Sequence, residues 1–277
     1  MLALDVRQAE ASRALLGLHP VFTAAACAAL AVIHEATATM SRSELERDNG
    51  LGADGTSTMW IDAAVEEAIV DACAPYGVNI LSEEIGFIDH GSCLTLVVDP
   101  IDGTANAAAD IPLACFSAVL ADDGRFTESA TIWLATGQGW AGTADGRVRS
   151  PGRWGTTGRT SLDGAAVSLL RPHPRNRDGW WRVTERAARI RILSCTTLEG
   201  ALVLQGSTDA FADAGSDTHR LMDIAAAAVL LPTVGGAVID VLGRPVEFDV
   251  DLTRRWSGII AATPALAEEI AAAVRGD

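Results

Sequence analysis

The chain has 277 residues, 49% of them hydrophobic, and 36 acidic against 21 basic side chains for a formal charge of −15. That length suffices for one large domain or two packed subdomains with a substantial core, and a field of that sign disfavours unaided binding to nucleic acid or an anionic membrane. Every basic residue is an arginine, and the absence of lysine excludes Schiff-base enzymes, P-loop NTPases and protein kinases, each of which depends on one.

Residues 5–40 read as helical, interrupted near His19-Pro20. The run 21–33 is too short and Ala-rich to span a bilayer, which takes about 20 apolar residues, and is expected as a buried helix. Asp5 stands where a signal peptide would carry its basic stretch, so no leader is expected. Cys27, Cys73, Cys93, Cys115 and Cys195 are scattered, odd in number and free of C-x-x-C spacing, which fits a reduced, cytoplasmic setting. Residues 41–58 turn polar and Gly-rich and suggest a mobile loop. Residues 62–73 place Val65, Ile69, Ala72 and Cys73 at helical spacing, with Glu66, Glu67 and Asp71 opposite and Asp62 as N-cap.

Strands are expected at 78–81, 94–98, 114–120, 130–134 and 139–142, separated by Gly-rich turns. The loop 144–164, rich in Gly, Arg and Ser, marks a boundary between subdomains 1–155 and 156–277. In the second half, strands are expected at 167–170 and 190–194, a helix at 198–204 and a strand at 210–212. Asp223 then opens an Ala-rich helix ending near Gly235-Gly236, followed by a strand at 237–241 and a closing helix at 264–274. Arg171, Arg175, Arg177 and Arg182 form a concentrated basic stretch, read as a solvated loop that could otherwise meet a second phosphate. None of the five histidines has zinc-ligand spacing.

The most informative stretch is Ser82-Glu83-Glu84-Ile85-Gly86 followed by the apolar run 94–98 and then Asp99-Pro-Ile-Asp102-Gly-Thr104. A strand that ends in two carboxylates three residues apart, with Gly103 and Thr104 in the character of a helix start, brings acids and free N–H groups together. Glu83, Asp99 and Asp102 without a cation would repel one another and drive at least one toward protonation. Mg²⁺ prefers such hard oxygen ligands and keeps part of its shell for water and phosphate, while helix-start N–H groups favour the phosphate itself.

Six ordered pieces carry a resemblance: Gly52-Ala-Asp54-Gly-Thr-Ser-Thr58 with Ile61-Asp62, the Ser-Glu-Glu-Ile-Gly run, Asp-Pro-Ile-Asp-Gly-Thr, Asp110-Ile-Pro112, Thr208-Asp-Ala-Phe211, and Leu221-Met-Asp223-Ile-Ala-Ala226. In order and spacing the chain resembles the inositol monophosphatase and archaeal-type fructose-1,6-bisphosphatase group of metal-dependent, lithium-sensitive phosphatases. Haloacid-dehalogenase-type phosphatases carry Asp-x-Asp-Gly-Thr, with one intervening residue instead of two, and need a later lysine.

The resemblance implies a layered αβαβα sandwich with a mainly antiparallel first sheet, a mixed second sheet, and the site between the halves. It implies that Glu83, Asp99, the Ile101 carbonyl, Asp102 and Asp223 hold two or three Mg²⁺ ions, with Glu84 in support. Asp54, acting through the Thr104 hydroxyl, would activate the attacking water. Asp102, Gly103, Thr104, Ala105, Thr196, Asp213 and Arg220 would meet a small phosphorylated substrate, and relatives are often homodimers. Where many relatives carry an aromatic after the motif threonine, Ala105, Ala107 and Ala108 surround Asn106, which reshapes the pocket wall. The expected activity is therefore Mg²⁺-dependent hydrolysis of a polyol or sugar phosphate. A nucleotide or nucleoside-phosphate phosphatase is the alternative. A catalytically silent regulator is a third reading, opposed by the complete ligand set.

Overall fold

The computed structural model describes residues 2–277 as five alternating layers of helix and sheet. The first layer contains α1 (Leu4–Ala14), α2 (Val21–Thr39) and α4 (Trp60–Cys73). α2 is apolar and long enough, at 19 residues, to cross a membrane by length and composition. Phe22, Ala26, Ala29, Leu30 and Ile33 on it are instead buried in the cluster shared with α1, α4 and the first sheet. Ser41–Thr58, expected as a mobile loop, folds into a short helix α3 (Arg42–Leu45) and an antiparallel hairpin of β1 (Asp48–Leu51) and β2 (Ser57–Met59). Its polar composition reflects exposure, since all four β1 residues face solvent.

The first sheet has the order β4-β3-β5-β6-β7-β8, built from β3 (Asn79–Ser82), β4 (Gly86–Ile88), β5 (Leu94–Asp102), β6 (Cys115–Asp122), β7 (Arg125–Trp133) and β8 (Gly139–Thr143). Only the β3–β5 pair is parallel. Strand alternation assigns its faces: Leu96 and Val98 join the outer cluster with α2 and α4, while Val97 turns inward.

The second sheet, β10-β9-β11-β13-β12, is mixed. Its strands are β9 (Ala166–Leu169), β10 (Arg189–Arg191), β11 (Ala210–Ala212), β12 (Ala237–Asp240) and β13 (Gly258–Ala261). Phe211 and Ile260 face the middle layer, and Ala210, Ala212, Ile259 and Ala261 face the last one. The middle layer is α7 (Thr196–Leu204) and α8 (Leu221–Leu230), the latter continued by a 3-10 turn, Leu231–Val234. The last is α6 (Arg177–Arg186) and α9 (Pro264–Arg275). α6, β4 and β13 are not among the elements the sequence pattern predicts. The arginine stretch expected as a loop is partly α6, a helix whose buried contacts are confined to Gly179 and Val183.

The middle cluster joins Leu81, Val97, Cys115, Val119 and Trp140 of the first half to Leu198, Phe211, Ile224, Met222 and Ile260 of the second, so the two sheets share one core. Phe211→Ala is expected to cost about 3–5 kcal/mol, the range for emptying a fully buried aromatic site. Urea unfolding would check this, and a loss under about 1 kcal/mol would contradict a shared core at this position.

Candidate active site

The central motif depends on an irregularity in β5. Residues three apart on a regular strand point to opposite faces, yet Asp99 pairs with Ser117 and Asp102 with Cys115, so β5 carries one extra residue between them. This bulge turns both carboxylates to one side. The chain then passes Gly103, whose φ of +88° suits glycine and whose position leaves no room for a Cβ: one would lie 2.7 Å from Leu113 O and 3.2 Å from Cys195 Cβ. The short helix α5 (Thr104–Ala108) follows.

Asp223, roughly 120 residues further on, arrives in the first turn of α8. It is not the N-cap; Arg220 is, and Asp223 Oδ2 accepts the Arg220 backbone N–H at 2.6 Å. Carboxylate oxygens of Asp99, Asp102 and Asp223 lie within 4.8 Å of one another. Asp102 Oδ2 also accepts the Thr197 N–H at 2.5 Å from the start of α7. Two helix N-termini from the second half thus aim N–H groups at acids of the site. Glu83, at the end of β3, is buried, and its Oε2 lies 3.1 Å from Arg220 Nη1.

Electrostatics follow from this crowding. Burial, then the neighbouring Asp223 charge, pushes Asp102 up to about 7. Burial and the Glu83 and Asp102 charges carry Asp99 well above the carboxylate range. Burial raises Glu83 strongly despite the opposing Arg220, and burial also raises Glu84. Asp99 Oδ1 is buried with no hydrogen-bond partner, and Glu83 Oε2 has no partner besides its ion pair with Arg220. An unsatisfied carboxylate oxygen converging with other acids is the donor set a divalent cation takes. Glu83, Asp99, Asp102 and Asp223, with the Ile101 carbonyl at the bulge, could hold one.

The expected pairing of Asp54 with Thr104 is corrected by the structure. Thr104 Oγ1 donates to Asp62 Oδ1 at 2.7 Å and to the Ile101 carbonyl at 2.9 Å. Asp62 is not the N-cap of α4 but a buried residue of its first turn, under the sheet. Burial raises it to about 7 against the lowering effect of the Thr104 hydrogen bond. Asp54 instead lies in the turn that joins β1 to β2. It accepts the Thr56 N–H and hydroxyl, both at 2.8 Å, and pairs with Arg220 and Arg255. Burial acts to raise it, but the Thr56 bonds and the Arg220 charge outweigh that and hold it low. One sequence signal does mark Asp62: it occupies the apolar stripe of its own helix, in line with Val65 and Ile69.

A cavity of about 270 Å³ opens beside the acids and is lined by Asp102, Arg171, Ser194, Thr196, His219, Arg220 and Asp223 among others. Thr196 and Arg220 thus line the cavity next to Asp102 and Asp223. Arg220 arrives with its guanidinium bound to Asp54, Glu83 and the Thr56 hydroxyl. Asp213 does not reach the cavity: it is fully buried, and its two oxygens accept from the backbone and hydroxyls of Ser216 and Thr218. Ala105 is exposed at the start of α5. Asn106 joins the halves, its Nδ2 donating to Leu113 O and Leu193 O, each at 2.9 Å, and to Ser194 O at 3.3 Å. Glu84 Oε2 accepts the Thr58 hydroxyl, tying β2 to the site.

A profile of the inositol monophosphatase family matches residues 18–276. A fructose-1,6-bisphosphatase/inositol-1-monophosphatase of Methanothermobacter thermautotrophicus is 32% identical over 239 residues, covering 79% of this chain and 84% of that protein. A bifunctional NADP phosphatase/NAD kinase of Methanococcus maripaludis is 28% identical over 238 residues, 76% of this chain and 41% of that longer one. The fold matches a solved inositol monophosphatase–fructose 1,6-bisphosphatase with a TM-score of 0.77 at 23% identity, over 89% of this chain and 96% of that structure. The chain belongs to the inositol monophosphatase family, whose members are metal-dependent phosphatases.

Proposed function

We propose that this phosphatase is a Mg²⁺-dependent phosphomonoesterase of small polyol or sugar phosphates, with inositol monophosphate and fructose-1,6-bisphosphate as reference substrates. The observation that carries the reading is the meeting of Asp99, Asp102 and Asp223 within 4.8 Å beside an open cavity. Bound there, Mg²⁺ would supply positive charge to the phosphoryl oxygens and acidify a water. The chain's own residues do the rest. Thr104 Oγ1 accepts the proton of an attacking water while passing its own to Asp62, whose burial places it near neutrality, where a general base works best. The N-termini of α7 and α8 face the cavity and, with the positive charge of Arg220 in its wall, favour an anionic substrate. No covalent phosphoenzyme forms.

The NADP phosphatase relative favours a second reading, a nucleotide phosphatase, for which the alanines following Thr104 leave space. Phosphate release measured with and without Mg²⁺ across inositol monophosphate, fructose-1,6-bisphosphate, NADP and mononucleotides separates the two. Preference for the polyol or sugar esters is expected; selective NADP turnover would replace the first reading with the second, and no release from any would remove both.

Asp62→Asn and Thr104→Ala are each expected to lower kcat about 10²–10⁴-fold, the range for a lost proton-transfer group, with Mg²⁺ affinity by calorimetry nearly unchanged. Asp54→Asn should act mainly on Arg220 and the hairpin; a larger loss of kcat there than in Asp62→Asn would restore Asp54 as the base.

The raised carboxylates also fix a pH dependence. An unfolded aspartate titrates at 3.8, whereas folded Asp62 and Asp102 titrate at about 7, so between these values the folded state holds protons that the unfolded chain has released. Stability contributed by those protons is present below 3.8 and lost as pH rises toward about 7. Thermal unfolding of chelator-treated protein is therefore expected at lower temperature at pH 8 than at pH 5, about the window spanned by the two shifts. Mg²⁺ should restore most of the loss. A metal-free melting temperature flat across that window would be inconsistent with the crowded acid site.

A further inference from the structure

A cavity of about 470 Å³ lies where the ends of β11 and β12 meet α6 and α9, and it shares no lining residue with the cavity beside the acids. In a chain of charge −15 its wall carries Arg175, Arg177, Arg182 and Arg275 against the single carboxylate of Asp178. Two of the arginines are committed. Arg182 donates to Ala273 O and Val274 O at the end of α9, and Arg275 donates to Val241 O and pairs with Asp277. Arg175 and Arg177 are exposed, and their guanidinium groups have no ion pair or hydrogen bond among the described residues.

Between those two stands Asn176, 2% exposed. Its Oδ1 accepts the His173 N–H at 2.7 Å, which assigns the other end of the amide as the donor. That donor, Nδ2, is buried and has no partner, an arrangement that costs free energy unless something accepts from it. Asn176 is also the N-cap of α6, a helix of 10 residues with no side-chain cap, so the positive end of its dipole faces the same wall.

We infer that this cavity is a binding site for a phosphoryl-class oxyanion, separate from the acidic cluster. The guanidinium groups of Arg175 and Arg177 supply charge-assisted bonds, the α6 N-terminus supplies backbone donors and field, and Asn176 Nδ2 supplies a donor fixed in place by its own Oδ1 bond. Ala214 and Gly215, in the wall, belong to the loop that continues through Thr218, His219 and Arg220 into the wall of the other cavity. The Asp213 bonds to Ser216 and Thr218 brace that loop between them. An occupant would therefore sit five residues from Arg220 and act as a second ligand in addition to the substrate.

The test is calorimetric titration of inorganic phosphate into the full-length protein freed of metal by chelation, a state in which the unscreened carboxylates oppose phosphate at the acidic cluster. Saturable binding at one site is expected. Arg175→Ala/Arg177→Ala, two exposed positions whose circular dichroism should match the parent, is expected to weaken it at least tenfold, about the effect of losing one charge-assisted hydrogen bond. Asp223→Asn should leave the affinity unchanged. The inference is overturned by absence of binding in the metal-free parent, by parental affinity in the double variant, or by loss of binding in Asp223→Asn.

Discussion

Carboxylates that repel one another must be held side by side, and most of the architecture around the cavity answers that constraint. Asp99, Asp102 and Asp223 come within 4.8 Å, and Glu83 and Asp62 are buried nearby. In a low-dielectric interior such charges are costly unless each has a proton, a donor or a cation. The chain supplies donors from the far half: the Thr197 N–H to Asp102 and the Arg220 N–H to Asp223. What it leaves unsupplied, Asp99 Oδ1 above all, is what a divalent ion would take.

Holding that arrangement requires the halves to be one body. The bulge in β5 sets the two motif aspartates on one face, Gly103 turns the chain through a space with no room for a side chain, and Asn106 donates to carbonyls on both sides of the junction. The shared middle core supports the same geometry from below. A shift of one sheet relative to the other would separate Asp223 from Asp99 and Asp102. Packing remote from the cavity thus governs the chemistry inside it.

Much of this was legible in the sequence, for identifiable reasons. Strands and helices in chain order follow from clear periodicities, the five-layer order follows from the family resemblance those ordered motifs carry, and Glu83, Asp99, Asp102 and Asp223 stand in compact motifs whose spacing survives folding. What failed to show was tertiary in origin. β13 and α6 have too few buried positions or too short a span to leave a pattern. Asp54 and Asp62 lie eight residues apart in one motif-rich stretch, and nothing local says which meets Thr104; the register of α4 beneath the sheet decides it. The resemblance implies a substrate contact for Asp213, but a turn six residues long folds back and takes both its oxygens. The unpartnered donor of Asn176 depends on a 3-10 turn that composition does not announce.

Arg220 brings a further consequence. Its guanidinium bridges Asp54 and Glu83 while its backbone N–H caps Asp223, so the protein carries a built-in stand-in for its metal. Part of the negative charge around the site is thereby neutralised from within the chain. A cation that takes Glu83 as a ligand has to compete with that arginine, so the ion pair enters the affinity of the site alongside its other carboxylates.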